Sequence, residues 1–444
     1  MLTRRTLLQT FAVGGSAFGL STLWSRPSWA AGDRSFVFCY FRGGWDNLMA
    51  LDPRDPAVFT ADRREETRIE LAWDLLPADY GEQILQPAGS NIPLGPVCDA
   101  LLPHVDRMTV VNGISMDTVA HDVGRRYFIT GQKPAGSNAV GSAIPTRIAA
   151  QQGDLSAFPN LVVRTETYNS GDPAYASGLS VSSVADLITA LTEGPSAPPA
   201  VVRGHLDAFR ARTTACDPAV KNRRGLLDLL SDSQSKSREL VDGGLSNQFA
   251  FTNTQDPEMA AIAQRYGITN LDGVEAQAAM AFQALRLDLA QCVTIELAPS
   301  LDTHDATWAT AHPPQLSAGF AALGQLLTDL AETADPSRGG QLIDHTTVIA
   351  FSEFGRTPLL NARTGRDHSL TGSCLLAGAG VPGNRVVGRS SDIGMAPMAI
   401  DPVTGLPDDS GIMLNPSNIL ASIMASAGLS TTSLRTDGLP CLMA

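Results

Sequence analysis

Six short apolar runs punctuate the chain: SFVFCYF (35 to 41), MTVVNGI (108 to 114), NLVVR (160 to 164), CVTIEL (292 to 297), TTVIAF (346 to 351) and SCLLAGAGV (373 to 381). Each has strand length and is bounded by turn residues, which predicts six β-strands. Several are separated by helix-length periodic stretches such as PQLSAGFAALGQLLTDLAET (314 to 333). Strands alternating with helices predict an α/β fold, a mainly parallel sheet sandwiched by helices. Between about 170 and 290 the pattern changes to helical and more polar, with the run EGPSAPPAVV near its start. That region reads as a mostly helical insertion or cap on a domain spanning 31–444. No internal repeat is visible.

The first 30 residues stand apart. TRRTLLQ carries Arg4 and Arg5, an apolar run follows from Leu7 to Leu23, and SRPSWA ends in small residues suited to cleavage after Ala30. The segment reads as a twin-arginine export signal, so the expected destination is the periplasm or otherwise outside the cytoplasm. The twin-arginine translocase is then the expected partner during export. Gly14, Gly15 and Gly19 argue against a stable membrane anchor. The formal charge is −13, and removing a segment that holds Arg4, Arg5 and Arg26 but no acid leaves the body more acidic still. Such a body does not bind nucleic acid or an anionic membrane surface through long-range charge. The six cysteines are scattered with no CxxC pair, which excludes a zinc knuckle and a small disulfide scaffold.

Candidate chemistry lies where the strands end. FVFCYF runs into RGGWDN, presenting Asp46; TVVNGI runs into a segment where His121 opens a helix and Arg125 follows one turn later. VTIELAPS runs into LDTHD, with Asp302 and His304, and TVIAF into SEFGR and GRDH, with Glu353, Arg356, Asp367 and His368. Singly, each has a structural explanation as a turn residue, a cap or an ion-pair partner. Jointly, an Asp, Glu and His set at the ends of strands in one parallel sheet is what an oxygen and nitrogen metal site requires. Arg42, Arg125, Arg356 and Arg366 lie close to these residues in sequence although the protein is acidic. Guanidinium groups there suit an anionic group such as phosphate, sulfate or carboxylate, and the alternative is that they balance the carboxylates.

The motifs FRGGWDN, LDTH, SEFGRTP and GRDH, in this order, resemble the alkaline phosphatase and sulfatase superfamily. The closer resemblance is to its twin-arginine-exported bacterial branch, domain-of-unknown-function family 1501. The resemblance implies an alkaline phosphatase-like sheet and a metal-dependent hydrolase of a phosphate or sulfate ester. It sets Asp46 on the first metal-binding Asp, His121 on the nucleophile, and Arg125, Thr130 and Gly131 on the sulfatase signature. Asp302 and His304 fall on the ligands of one metal, Glu353 and Phe354 on an Asp-His pair, and His368 on the last His. A second registration puts Asp367 and His368 on that pair.

The departures matter as much as the matches. No Ser, Thr or Cys occupies the nucleophile position, and Phe354 removes a ligand. Three readings of His121 follow. It is a ligand, with Asp46 and Glu353, of a second metal site that activates water directly; it is itself the nucleophile; or the second site is lost and Phe354 fills its space. The expected cofactor is one or two divalent ions, zinc or manganese by the mixed donor set, with calcium admitted if carboxylates dominate. The expected partner is an anionic small molecule or glycan. The alternative function is a catalytically degenerate member that binds an anionic envelope glycan or headgroup.

Overall fold

The computed structural model describes residues 34–444 apart from 82, 155, 195–198 and 216–240. The twin-arginine segment and Cys216 lie outside the described residues. The strands in chain order are β1 (Ser35–Phe41), β2 (Met108–Ser115), β3 (Phe158–Val163), β4 (Leu179–Val181), β5 (Ala290–Ala298) and β6 (Thr346–Phe351). After them come β7 (Gly355–Arg356), β8 (His368–Ser369), β9 (Thr371–Gly378) and β10 (Arg385–Val387). All six apolar runs are strands, and eight strands make one sheet in the order β10-β2-β9-β6-β1-β5-β3-β4.

The sheet is buried on both faces, which is why its strands read as continuous apolar runs. Along β1 the pleat sends Val37, Cys39 and Phe41 into one core and Phe36, Phe38 and Tyr40 into the other. Helices Val274–Arg286 and Thr307–Glu332 cover the first face, and His121–Thr130, Ile144–Gln152 and Pro416–Ser426 cover the second. Cys39, Cys98, Cys374 and Cys441 are buried free thiols within these layers, and Cys292 is buried among them. Among the described residues no helix is long and apolar enough to cross a membrane.

Between residues 170 and 290 the described elements are mostly helical, with β4 the strand among them. β4 pairs in parallel with β3 at the sheet edge, and the helix Val274–Arg286 buries Ala276 through Leu285 in the main core. A three-residue edge strand carries too few apolar residues to register in a hydropathy pattern.

Strand direction decides what meets at one edge. β1 runs parallel to β5 and β6, whereas β9 is antiparallel to both of its neighbours, β6 and β2. The carboxyl ends of β1, β2, β5 and β6 therefore share one edge with the amino end of β9. Arg42–Asp46, His121, Asp302–His304 and Glu353 follow strands to that edge, while His368 arrives there by preceding one.

Candidate metal centre

The loop after β1 is held tightly against the loop after β5. Gly43 has φ of 115°, and a Cβ there would stand 2.6 Å from the backbone nitrogens of Leu301 and Asp302. Only glycine tolerates both conditions. The helix His121–Thr130 approaches the end of β6 as closely, since a Cβ on Gly124 would meet the Glu353 carbonyl at 2.4 Å. These contacts bring side chains from four loops to one point.

At that point Asp302 is the hub. Its Oδ1 lies 2.9 Å from His304 Nε2, 3.0 Å from His368 Nε2 and 2.7 Å from Arg356 Nη2, and its Oδ2 lies 3.3 Å from His121 Nε2. Partial burial opposes its ionisation, but the neighbouring His368 imidazole and Arg356 guanidinium outweigh that and hold the carboxyl well below the usual carboxylate range. His121, Asp302 and His368 offer ligand atoms that all lie within 4.8 Å of one another, and His304 joins them through an Nε2 2.9 Å from His368 Nε2.

The other ring nitrogens explain why the Nε2 atoms are free. His121 Nδ1 faces Glu353 Oε1 at 2.7 Å, His304 Nδ1 faces Asp367 Oδ1 at 2.8 Å, and His368 Nδ1 faces the Val119 carbonyl at 2.7 Å. A carbonyl or carboxylate oxygen only accepts, so each Nδ1 carries a proton, and in the neutral ring Nε2 is left as the ligating atom. Two such atoms 2.9 Å apart need a proton or a metal cation between them. His121 Nε2 is also buried without a hydrogen-bond partner. Donors around a tetrahedral zinc stand roughly 3.3 Å apart, given bonds of about 2.0 Å. The Asp302 oxygens stand 2.9 to 3.3 Å from the three Nε2 atoms, and His304 and His368 Nε2 stand 2.9 Å apart, spacings of the size that donors to a divalent transition ion share. The bond to Glu353 raises the His121 imidazole above its ordinary pKa, whereas burial pulls His368 down.

Several expected roles change. Asp46 is not among these donors: its Oδ2 takes Trp308 Nε1–H at 2.9 Å and pairs with Arg366 Nε at 2.9 Å, and its Oδ1 caps the amides of Leu48 and Met49. Three hydrogen bonds and a buried ion pair thus engage both oxygens of that carboxylate. Glu353 is fully buried behind His121, accepting also from the Gly43 amide at 2.9 Å, so it orients a ligand. Asp367 does the same for His304, and Asn361 Nδ2 steadies it at 3.0 Å. The pairing of His121 with Asp46 and Glu353 as a separate second site is therefore replaced by one cluster in which His121 faces Asp302. Phe354, wholly buried, packs its ring 4.8 Å from that of His121 and 4.4 Å from that of His368.

The arginines expected to bind an anion are occupied. Arg125 Nη2 bonds Asp122 and Glu166, at 2.9 and 2.8 Å. Arg356 is wholly buried, donating to Asp302, to Gly43, Gly44, Leu301 and Arg366 carbonyls, so it fastens the first loop to the second. Arg366 pairs with Asp46 and lies 4.6 Å over the Trp308 ring. Arg42 Nε pairs with Glu296 at 3.1 Å.

Glu166, in RTET just past β3, is an acid in the same kind of position as Glu353, at a strand end that carries none of the four motifs. Partial burial opposes its charge, yet bonds from Arg126, Tyr168 and Arg125 pull its carboxyl down to about 2. His312 is buried against Thr303, its Nε2 accepting the Asp46 amide, and burial drives it down to about 3. The Val119 carbonyl has no sequence signal at all. If Glu353 orients His121, Glu353→Gln lowers metal affinity roughly 10- to 100-fold, read by chelator competition. Unchanged affinity would remove Glu353 from that role.

No curated protein matches the chain. Among solved structures it is similar to the lipoteichoic acid synthase LtaP from Listeria monocytogenes, at 9% identity and a TM-score of 0.39, covering 100% of this chain and 82% of that one. A likeness of that size carries nothing about the site. The family model described as Protein of unknown function (DUF1501) matches residues 33–404, a span that includes every residue of the cluster. The protein that assembles Asp302 with three imidazoles at its sheet edge belongs to the DUF1501 family.

Proposed function

We propose that the protein is an exported, metal-dependent hydrolase of a phosphate or sulfate ester. The observation that carries the reading is the convergence of three Nε2 atoms on Asp302, each imidazole fixed by an acceptor behind it. His121, Asp302, His304 and His368 would hold a divalent ion, zinc or manganese. Such an ion supplies Lewis-acid polarisation of an ester oxygen and acidifies water.

The chain's own residues prepare that chemistry. Glu353, Asp367 and the Val119 carbonyl keep the three imidazoles in one tautomer. Arg356 keeps Asp302 ionised and in place. Asp302 remains 45% exposed, so the cluster is open on that side to a substrate. Among the described residues no Ser, Thr or Cys side chain bonds to His121, His304 or His368, which supports water as the attacking group. Water oxygen then bonds to phosphorus or sulfur as the ester oxygen leaves with a proton. Because the expected arginines are engaged within the protein, substrate charge is met chiefly by the ion.

One purification tests this reading. Protein taken from the periplasm is expected to contain at least one equivalent of zinc or manganese. It is expected to cleave an aryl phosphate or aryl sulfate, with activity lost to a chelator and restored by the ion. Precursor carrying Arg4→Lys and Arg5→Lys is expected to stay inside the cell. Stoichiometric metal with no turnover across the ester panel would favour the binding alternative, and turnover in metal-free protein would overturn the proposal.

A further inference from the structure

His368 and Asp367 also line a cleft of about 510 Å³, together with Leu359, Leu360, Leu370 and Arg68. Its character differs from that of the cluster. Leu370 is 51% exposed although it lies two residues from a candidate ligand, and Leu359 and Leu360 are part-exposed beside it. Water at such a wall is readily displaced by an apolar group.

Arg68 is the cation of this cleft. The acids near it are already taken: Glu65 and Glu70 each pair with Arg64 at 3.4 Å, and Asp367 pairs with His304. Among the described residues the Arg68 guanidinium makes no ion pair, in contrast to Arg42, Arg125, Arg356 and Arg366. Its backbone is left-handed, with φ of 54°, and its amide closes the short helix Arg64–Thr67 by bonding the Arg64 carbonyl at 2.8 Å. A bulky residue occupies that conformation rarely, so glycine or asparagine would be favoured if only a turn were required. Arg68, Leu359 and Leu360 further line a second cleft of about 340 Å³, so the three residues border both spaces. An unpaired guanidinium across an apolar wall from a metal cluster is complementary to a molecule with two anionic groups and an apolar segment between them.

We propose that Arg68 binds a second anionic group of the substrate, separated from the scissile phosphate or sulfate by an apolar segment lying on Leu359, Leu360 and Leu370. The inference rests on the hydrolase reading and narrows its substrate class to amphiphilic esters with a distal anion.

Calorimetric titration with two homologous series tests it: ω-carboxyalkylphosphonates and the matching alkylphosphonates, on metal-replete full chain. At the chain length that spans the cleft, the carboxylated probe is expected to bind about fivefold more tightly than its partner, the size of one exposed charge contact. Arg68→Ala is expected to abolish that preference, and Arg68→Lys to restore part of it, with metal content and melting temperature unchanged because the side chain is exposed and unpaired. Equal affinity for the two series, or a preference that survives Arg68→Ala, overturns the subsite and leaves the metal centre standing. Binding of neither series by protein that holds its metal does the same. Protein found to hold no metal overturns the hydrolase reading on which the subsite rests.

Discussion

Asp302→Ala is expected to lose stoichiometric metal, with affinity falling by more than about a hundredfold. An outer residue that orients a ligand costs roughly 10- to 100-fold when replaced, and among the described residues Asp302 is the one carboxylate within 3.3 Å of all three Nε2 atoms. Its loss takes away the negative charge that offsets the ion and leaves neutral imidazoles beside the Arg356 guanidinium. The fold is expected to survive, because Arg356 keeps its bonds to the Gly44, Leu301 and Arg366 carbonyls. Elemental analysis after gel filtration reads the metal, and thermal unfolding reads the fold. Full metal content in folded Asp302→Ala protein would show that the ion, if any, lies elsewhere.

Asp46→Ala is expected to have the opposite profile. The Asp46–Arg366 pair is completely buried, with side chains 1% and 0% exposed. Removing the carboxylate leaves a guanidinium without its counter-charge in the interior, and such half-broken pairs cost about 3 to 5 kcal/mol. That is a large share of the roughly 5 to 15 kcal/mol by which native proteins are stable. Urea unfolding should show the loss, while protein that remains folded keeps its full metal content. Replacing both partners with apolar residues, Asp46→Leu with Arg366→Met, should recover much of the stability, since no buried charge is then left alone. A variant that loses metal at unchanged stability would return Asp46 to the role of ligand that its motif implies.

The contrast between these two acids marks the division between local and tertiary information. The six strands, the placement of chemistry at their ends, and Asp302, His304 and His368 as a group were legible because each rests on local pattern. A strand buried on both faces must be apolar along its length, and the residue that ends it must turn at the sheet edge, whatever the rest of the chain does. What no local pattern carries is which acid meets which base. Asp46, Asp302, Glu353 and Asp367 compete for His121, His304, His368, Arg356 and Arg366, and from sequence any pairing is acceptable. The fold chooses by burial. Asp46 turns under the helix Thr307–Glu332 and there is neutralised by Arg366, while Asp302, on a loop left half open, meets all three Nε2 atoms from outside the core. The antiparallel course of β9 carries His368 to that loop, and the Val119 carbonyl fixes its ring. Sequence by itself determined the strands and the edge where the chemistry gathers. Tertiary packing alone decided the partners, because a buried charge must find its counter-charge in space and strand-end residues far apart in the chain become neighbours only once the sheet is assembled.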